Sequence, residues 1–220
     1  YGFRPGFSTD AALIKAINKI QNHLKQGEHI FGVFLDIQGA FDNLPHKSIK
    51  KALDQSKVKG QIANWIMNMV SNRTMNLTLA DETITRKIPK GCPQGGVLSP
   101  FLWNIVIDDL LKNNEIYKNI MAYADDILIL HAGTDMKVTI QTVEKHINRI
   151  KTWCNEKGLE IAALKTQVML WSNNNKEKPK SIKVDNNEID LSTSAKYLGV
   201  IIDEKLNWNE HITGKIKKCR

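Results

Sequence analysis

The chain has 220 residues, of which 42% are hydrophobic and 25% are charged. These proportions are ordinary for a chain that buries a core, and they exclude intrinsic disorder, collagen-like repeats and a disulfide-stapled miniprotein. Lysine and arginine number 31 against 23 acidic residues, so the formal net charge is +8, which favours polyanionic partners but is also typical of a solvated basic face.

The spacing of apolar residues predicts an α+β domain in which antiparallel strands alternate with helices. The first helix has Ser8 or Thr9 as its cap and Gly27 as its stop. In chain order, the predicted elements are helix Asp10–Gln26, strand Ile30–Asp36, helices His46–Gln55 and Gln61–Asn72, a hairpin of Thr74–Ala80 and Thr83–Ile88, helix Leu98–Lys112, strands Ile120–Tyr123 and Ile127–His131, helix Thr134–Lys157, strands Val168–Trp171, Ser181–Val184 and Lys196–Asp203, and helix His211–Lys218.

Several simple classes of protein can be set aside. No apolar run approaches the roughly 18 residues that a membrane helix needs, so no membrane partner is expected. The cysteines Cys92, Cys154 and Cys219 lack metal-ligand spacing and indicate free thiols in a reducing compartment. The sequence begins at Tyr1 without an initiator Met or a secretory leader, so we expect a piece of a longer chain.

Three aspartates lie in conspicuously apolar surroundings. Asp36 ends the predicted buried strand, and Asp125 and Asp126 lie at the tip of a predicted tight hairpin. Partly desolvated carboxylates repel one another, and a divalent cation bound between them removes that cost. Aspartate is also common in turns, however, so this pair alone does not establish chemistry.

The order of motifs along the chain resembles that of reverse transcriptases, most closely those of non-LTR (LINE-type) retrotransposons of animals. The similar segments are Gly2–Thr9 (the GFR segment), Phe34–Asp42 (motif A), Gly91–Pro100 (motif B), Tyr123–Asp126 (the YADD box), Gly158-Leu159 with Lys165-Thr166 (motif D) and Lys196–Val200 (motif E). The resemblance covers nearly the whole chain.

This resemblance implies the palm of a right-hand polymerase, with an antiparallel sheet, packed helices, partial fingers and most of the thumb missing. We expect fingers and connecting elements in residues 1–29 and 43–90, the palm in 30–42 and 91–203, and the start of the thumb in 204–220. It also implies an RNA template, a DNA primer or target, and deoxynucleoside triphosphates. The expected location is nuclear or cytoplasmic, and the oligomeric state stays open.

The resemblance also implies a magnesium site. Asp36 and Asp125 match the two metal-bridging aspartates of the family, Asp126 matches the supporting acid, and the carbonyl of Ile37 completes the second metal. Two Mg²⁺ ions are expected, with Mn²⁺ as a possible substitute, for in-line attack of a primer 3′ hydroxyl on the α-phosphorus. Lys165 matches the lysine proposed to protonate the departing pyrophosphate, although most lysines simply face solvent.

Five further residues match substrate contacts of the family, and each has a plainer structural explanation. Phe41 matches the aromatic gate that excludes a ribose 2′ hydroxyl, or else it is a core aromatic. Gln94 and Gly95 match the residues beside nucleotide and template, or else they form a turn before a helix. Arg4 is expected on template or phosphate, or else in a surface salt bridge. Tyr123 is expected beneath the nucleotide and primer end, or else in the core.

The chain also departs from the family. The basic fingers motifs before the GFR segment are missing, and the residues before Lys165 differ from the usual motif D, so the fragment can be inactive alone. The alternatives are an inactive or co-opted nucleic-acid-binding module and a group II intron type maturase. Basic segments at Lys47–Lys59 and Asn175–Lys183 would attract nucleic acid or form solvated faces. Asp108-Asp109 lies in no family motif and is assigned no catalytic role.

Overall fold

A computed structural model describes residues 2–112, 118–174, 178–184 and 187–219 of the chain. Within these ranges the protein is a mixed α/β structure whose sheets are all antiparallel, as the sequence predicts. Its helices are α1 (Thr9–Lys25), α2 (Ala40–Asn43), α3 (His46–Gln55), α4 (Gln61–Ser71), α5 (Ser99–Lys112), α6 (Met136–Lys157) and α7 (Asn209–Lys218). Its strands are β1 (His29–Asp36), β2 (Thr74–Leu79), β3 (Glu82–Lys87), β4 (Ile120–Tyr123), β5 (Asp126–Gly133), β6 (Gln167–Trp171), β7 (Ser181–Val184), β8 (Asn187–Asp190), β9 (Ser194–Tyr197) and β10 (Val200–Asp203).

The chain divides into two compact units. The first comprises residues 1–36, 115–152 and 161–220, and the second comprises residues 37–114 and 153–160. Within the described residues, no helix is both long enough and apolar enough to cross a membrane.

The first unit is built on a four-stranded sheet with strand order β4-β5-β1-β6. Strand β1 is buried on both faces, which its uninterrupted apolar sequence predicts. One face packs on helix α1, where Ala12, Ala16 and Ile20 are fully buried in the same core as Phe34. Helix α1 begins as expected, because the Ser8 hydroxyl accepts a hydrogen bond from the Ala11 amide.

The opposite face of this sheet is covered by α6. The imidazole of His146 on α6 contacts that of His131 on β5 edge to face, with the ring centroids 5.0 Å apart. Burial lowers the pKa of His146 to about 4, so this imidazole is neutral at physiological pH. Val143, Ile147 and Ile150 of α6 are buried as well, so the helix turns an apolar face inward together with the neutral His146.

One predicted strand is wrong. The sequence favours a single strand over Lys196–Asp203, but the structure has the two strands β9 and β10, paired as an antiparallel hairpin. The chain reverses at Leu198 and Gly199, whose φ angles are +49° and +85°. Leucine rarely adopts this left-handed conformation, so the turn has no signal in the apolar pattern. The sequence also gave no sign of β8 and α2.

The second unit is mainly helical, and α3 packs against both α4 and α5. Buried residues of α5, among them Leu102, Trp103 and Val106, form its core. Lys157 in this unit is only 3% exposed, and its ammonium lies 2.6 Å from the carboxylate of Asp109. Asp109 therefore has a structural partner, which agrees with the interpretation of Asp108-Asp109 as a non-catalytic pair.

The contact between Gly32 and Trp171 generates a test of the sheet. A Cβ at Gly32 would lie 2.5 Å from the buried indole of Trp171. We expect Gly32→Ala to lower the free energy of unfolding by about 1–3 kcal/mol, because a well-packed core does not absorb an added methyl group. Urea denaturation measures this change.

Gly214→Ala on α7 is the matched control, because nothing lies within 4 Å of its added Cβ. It should be neutral or raise stability by up to ~1 kcal/mol, since alanine favours a helix. Equal stability of Gly32→Ala and the unmodified protein would contradict the close packing of strand and indole.

Candidate active site

The three aspartates singled out in the sequence meet at one end of the central sheet. Asp36, the last residue of β1, is the direct register partner of Asp126, the first residue of β5. Side chains of cross-strand partners lie on the same face of a sheet, so these two carboxylates are neighbours. Asp125 immediately precedes Asp126 in the turn that joins β4 to β5.

A tight turn holds this arrangement. Tyr123 and Asp126 close the β4–β5 hairpin, with Ala124 and Asp125 between them. Ala124 has a φ of +53°, a left-handed conformation that costs an alanine about 1 kcal/mol or more. Gly2 is buried against this turn, and a Cβ on it would lie 2.5 Å from the Ala124 amide nitrogen. The GFR segment thus packs on the turn of the YADD box.

The aspartates repel one another. Burial raises the pKa of Asp126, and the negative charges of Asp125 and Asp36 raise it further. The ammonium of Lys165 acts in the opposite direction. The site therefore has a local excess of negative charge, which a bound cation would relieve.

Lys165 places a positive charge beside the aspartates. A 3₁₀ turn over Ala163–Lys165 is anchored to β1 because the Ala162 amide donates to the Asp36 carbonyl at 2.8 Å. The Lys165 Nζ then lies 2.6 Å from Asp36 Oδ2. Its hydrogen bond to Asp36, together with the charge of that carboxylate, raises the pKa of Lys165. The Lys165 side chain is 72% exposed and that of Asp36 19%, so the pair lies at the surface of the unit.

The first unit also contains Tyr123 and Arg4, two residues that the sequence predicts as substrate contacts. Tyr123 is partly buried and packs against the core beneath α1, as its plainer structural explanation expects. Arg4 is exposed, and its carbonyl accepts a hydrogen bond from the Phe7 amide at 3.2 Å.

Four predicted residues belong to the second unit. Ile37 is buried, and the Phe41 ring lies 5.9 Å from that of Trp103, centroid to centroid. The exposed amide of Gln94 donates to Asp42 Oδ2 at 2.6 Å. Gly95 has a φ of +76°, a conformation that suits glycine.

The donor chemistry of the three aspartates fits a divalent cation, since hard cations such as Mg²⁺ prefer carboxylate oxygens. Their present arrangement does not enclose one. In the described parts of the chain, no group of three or more His, Cys, Asp or Glu side chains is placed so that it could hold a metal ion. One oxygen of Asp36 is instead occupied by the Lys165 ammonium.

Sequence reasoning assigned no role to two residues of these segments. Gly2 supports the turn of the aspartates, and Asp42 binds the amide of Gln94. Both lie inside segments that carry the family resemblance, but their contacts are with residues distant in the chain. Their position inside a family motif was the signal available in the sequence, but it does not indicate which residues they contact.

Comparison with known proteins gives a family. The family model described as "Reverse transcriptase (RNA-dependent DNA polymerase)" matches residues 1–202. A putative 115 kDa protein in the type-1 retrotransposable element R1DM of Drosophila melanogaster is 26% identical over 96% of this chain. The RNA-directed DNA polymerase from the mobile element jockey of Drosophila funebris is 28% identical over 97%. The chain spans 20% and 24% of the lengths of these relatives.

Solved structures show the same fold. An apo telomerase from Candida tropicalis, truncated from its C-terminal domain, superposes with a TM-score of 0.64 at 15% identity. The match covers 92% of this chain and 39% of the telomerase. A telomerase from Candida albicans, solved with a TWJ fragment of telomeric RNA, gives a TM-score of 0.59 at 16% identity, covering 90% of this chain and 35% of that protein.

The raised pKa of Asp126 generates a prediction for stability. A raised pKa means that the folded state binds the proton more tightly than the unfolded chain does. The charged carboxylate therefore costs stability as the pH rises above the ordinary Asp pKa of about 4. We expect Asp126→Asn to unfold at a higher temperature than the unmodified protein at pH 7, without divalent cations. The difference should shrink as the pH falls through the raised pKa and vanish below pH ~4.

Thermal unfolding followed by circular dichroism across this pH range provides the measurement. Asp54→Asn, which alters an exposed carboxylate on α3, is the control and should show no such dependence. A lower unfolding temperature for Asp126→Asn at pH 7 would show that the Asp126 charge stabilises the fold instead.

Proposed function

Because the chain belongs to the reverse transcriptase family, we propose that it is the polymerase domain of a non-LTR retrotransposon protein and extends a primer 3′ hydroxyl with deoxynucleoside triphosphates on an RNA template. The observation that carries this proposal is the meeting of Asp36 and Asp126 across the sheet, with Asp125 beside them. Its similarity over nearly its whole length to proteins of a retrotransposable element and of a mobile element supports a role in retrotransposition.

In this proposal the acidic cluster holds the divalent ions that reverse transcriptases generally use. Asp36, Asp125 and Asp126 would supply carboxylate ligands, and Ile37 a backbone carbonyl from the position next to Asp36. Bound Mg²⁺ would lower the pKa of the primer hydroxyl and neutralise charge on the leaving pyrophosphate. The raised pKa of Asp126 supports this assignment, because burial and then the charges of Asp125 and Asp36 disfavour its carboxylate, and a cation would relieve both effects.

Lys165 is proposed to donate a proton to the departing pyrophosphate. A general acid must carry its proton before the reaction, and a lysine ammonium does so at neutral pH because its ordinary pKa is about 10. Its contact with Asp36 supports this role, because it places the donor beside a proposed metal ligand.

The substrate contacts are proposals of the same kind. Phe41 would exclude a ribose 2′ hydroxyl, and its contact with the Trp103 ring gives the aromatic ring a rigid support. Gln94 and Gly95 would lie against nucleotide and template, Tyr123 beneath the primer end, and Arg4 on template or phosphate. The net charge of +8 would add attraction to the nucleic-acid backbone that weakens with salt.

We also propose the division of the chain into polymerase subdomains. The palm would comprise residues 30–42 and 91–203, fingers and connecting elements residues 1–29 and 43–90, and the start of the thumb residues 204–220. The single sheet formed by β4, β5, β1 and β6 supports one palm, because residues 30–42 and 91–203 contribute all of these strands except His29.

One observation favours a second function, a nucleic-acid-binding module without catalysis. The described residues include no group of His, Cys, Asp or Glu that could hold a metal ion as it stands, and Lys165 satisfies Asp36 without one. The retained aspartates argue for the enzyme, because a pure binder of nucleic acid gains nothing from repulsive charge.

The polymerase proposal is tested by primer extension on an RNA template, using the full-length parent protein. Asp125→Asn should reduce incorporation of deoxynucleotides by at least about a hundredfold, because the catalytic ions lose a charged ligand. Asp108→Asn, which alters the other Asp-Asp pair, should leave incorporation unchanged. If Asp125→Asn incorporated deoxynucleotides at the rate of the unmodified protein, the proposed two-metal mechanism would be wrong.

Metal binding is tested separately from activity, by thermal unfolding with and without Mg²⁺ and a deoxynucleoside triphosphate. We expect Mg²⁺ and the nucleotide together to raise the unfolding temperature of the unmodified protein by about 2–4 °C for each kcal/mol by which their binding stabilises the folded state. Asp36→Asn should show a smaller increment over its own unliganded value. A module that only binds nucleic acid would show no increment in either protein.

A further inference from the structure

The loop that follows Lys90 is tied to helix α2 through backbone contacts. The amide of Cys92 donates to the carbonyl of Phe41, and the amide of Gly91 donates to the carbonyl of Leu44, both at 2.7 Å. Gly91 also lies so close to Asp42 that an added Cβ would be 2.5 Å from the Asp42 carbonyl oxygen. The first part of the loop therefore follows the position of α2.

Side chains brace the same loop from other directions. The guanidinium of Arg73 donates to the carbonyl of Gly91 at 2.6 Å, and His46 Nε2 lies 3.2 Å from that carbonyl. The hydroxyl of Ser99, at the start of α5, donates to the carbonyl of Pro93 at 2.6 Å. The backbone is thus anchored as far as Pro93, directly before the exposed Gln94.

Asp42 determines how the amide of Gln94 is turned. A carboxylate accepts hydrogen bonds and donates none, so Asp42 binds the Nε2 group of Gln94, at 2.6 Å. The carbonyl oxygen Oε1 is then directed away from Asp42. Without this partner the amide could rotate and exchange its donor and acceptor sides, since the two differ little in shape.

We propose that Asp42 is a positioning residue, which holds Gln94 so that its amide presents a hydrogen-bond acceptor to the nucleotide or template. The inference rests on the proposed function, because it takes Gln94 to lie beside the substrate. Asp42 itself touches no reacting atom in this account and acts through Gln94 alone. Loss of its carboxylate therefore weakens substrate binding more than it slows the chemical step.

The positioning is tested first without any assay of activity. Hydrogen exchange of the Gln94 Nε2 protons is followed by NMR in the unmodified protein, Asp42→Ala, Asp42→Asn and Asp54→Ala. We expect these side-chain protons to exchange about five times faster in Asp42→Ala, whereas Asp42→Asn retains an acceptor for Nε2 and stays close to the unmodified rate. Asp54→Ala, an exposed carboxylate on α3, should have no effect.

Because the Asp42 side chain is exposed, all four proteins should unfold at similar temperatures, and this is measured alongside. Unchanged exchange in Asp42→Ala would overturn the positioning role. This result can be read whether or not the protein is a polymerase, so it separates failure of the inference from failure of the proposed function.

A double-mutant cycle then tests whether Asp42 acts through Gln94. In primer extension by the full-length parent protein, Asp42→Ala should raise the KM for deoxynucleotide about fivefold, or about 1 kcal/mol, with little change in kcat. In a Gln94→Ala background the same substitution should have no further effect. Independent, additive losses would overturn the inference while leaving the polymerase assignment intact.

Discussion

The site depends on the register between β1 and β5. This pairing sets Asp36 opposite Asp126, and a slip of one residue would turn one of the carboxylates to the opposite face of the sheet. Repulsion between the aspartates works against the register, so it must be held by burial. The apolar residues of β1 are packed on both faces, and this packing keeps like charges together at the strand end.

In the proposed polymerase site, the carboxylates must lie close together and still be accessible to metal ions and substrate. The structure meets both needs by leaving the aspartates at the end of the sheet and giving Asp36 a lysine partner from an exposed 3₁₀ turn. Lys165 lowers the electrostatic cost of the cluster without burying it. The second unit has a comparable arrangement. Hydrogen bonds hold the backbone of the loop at residues 91–96 against α2, while the side chain of Gln94 is exposed.

Much of the fold could be predicted from periodicity and turn residues. Helix α3 and strand β4 have the predicted bounds, and β1, α1 and α6 differ from prediction by at most two residues at either end. The misassigned strand at Lys196–Asp203 shows the limit, because its turn uses a left-handed leucine that only the packing around it stabilises. The short α2 was missed because four residues are too few for an apolar stripe to be recognised.

The sequence by itself determined the residue types, the order of the family motifs and the location of Asp36 at a strand end and of Asp125 and Asp126 at a turn. These features are local, so neighbouring residues are enough to indicate them. Only the tertiary structure decided that Lys165 binds Asp36 across 129 positions and that Asp42 binds Gln94 across 52. Such partners follow from strand register and loop packing, which depend on the whole chain.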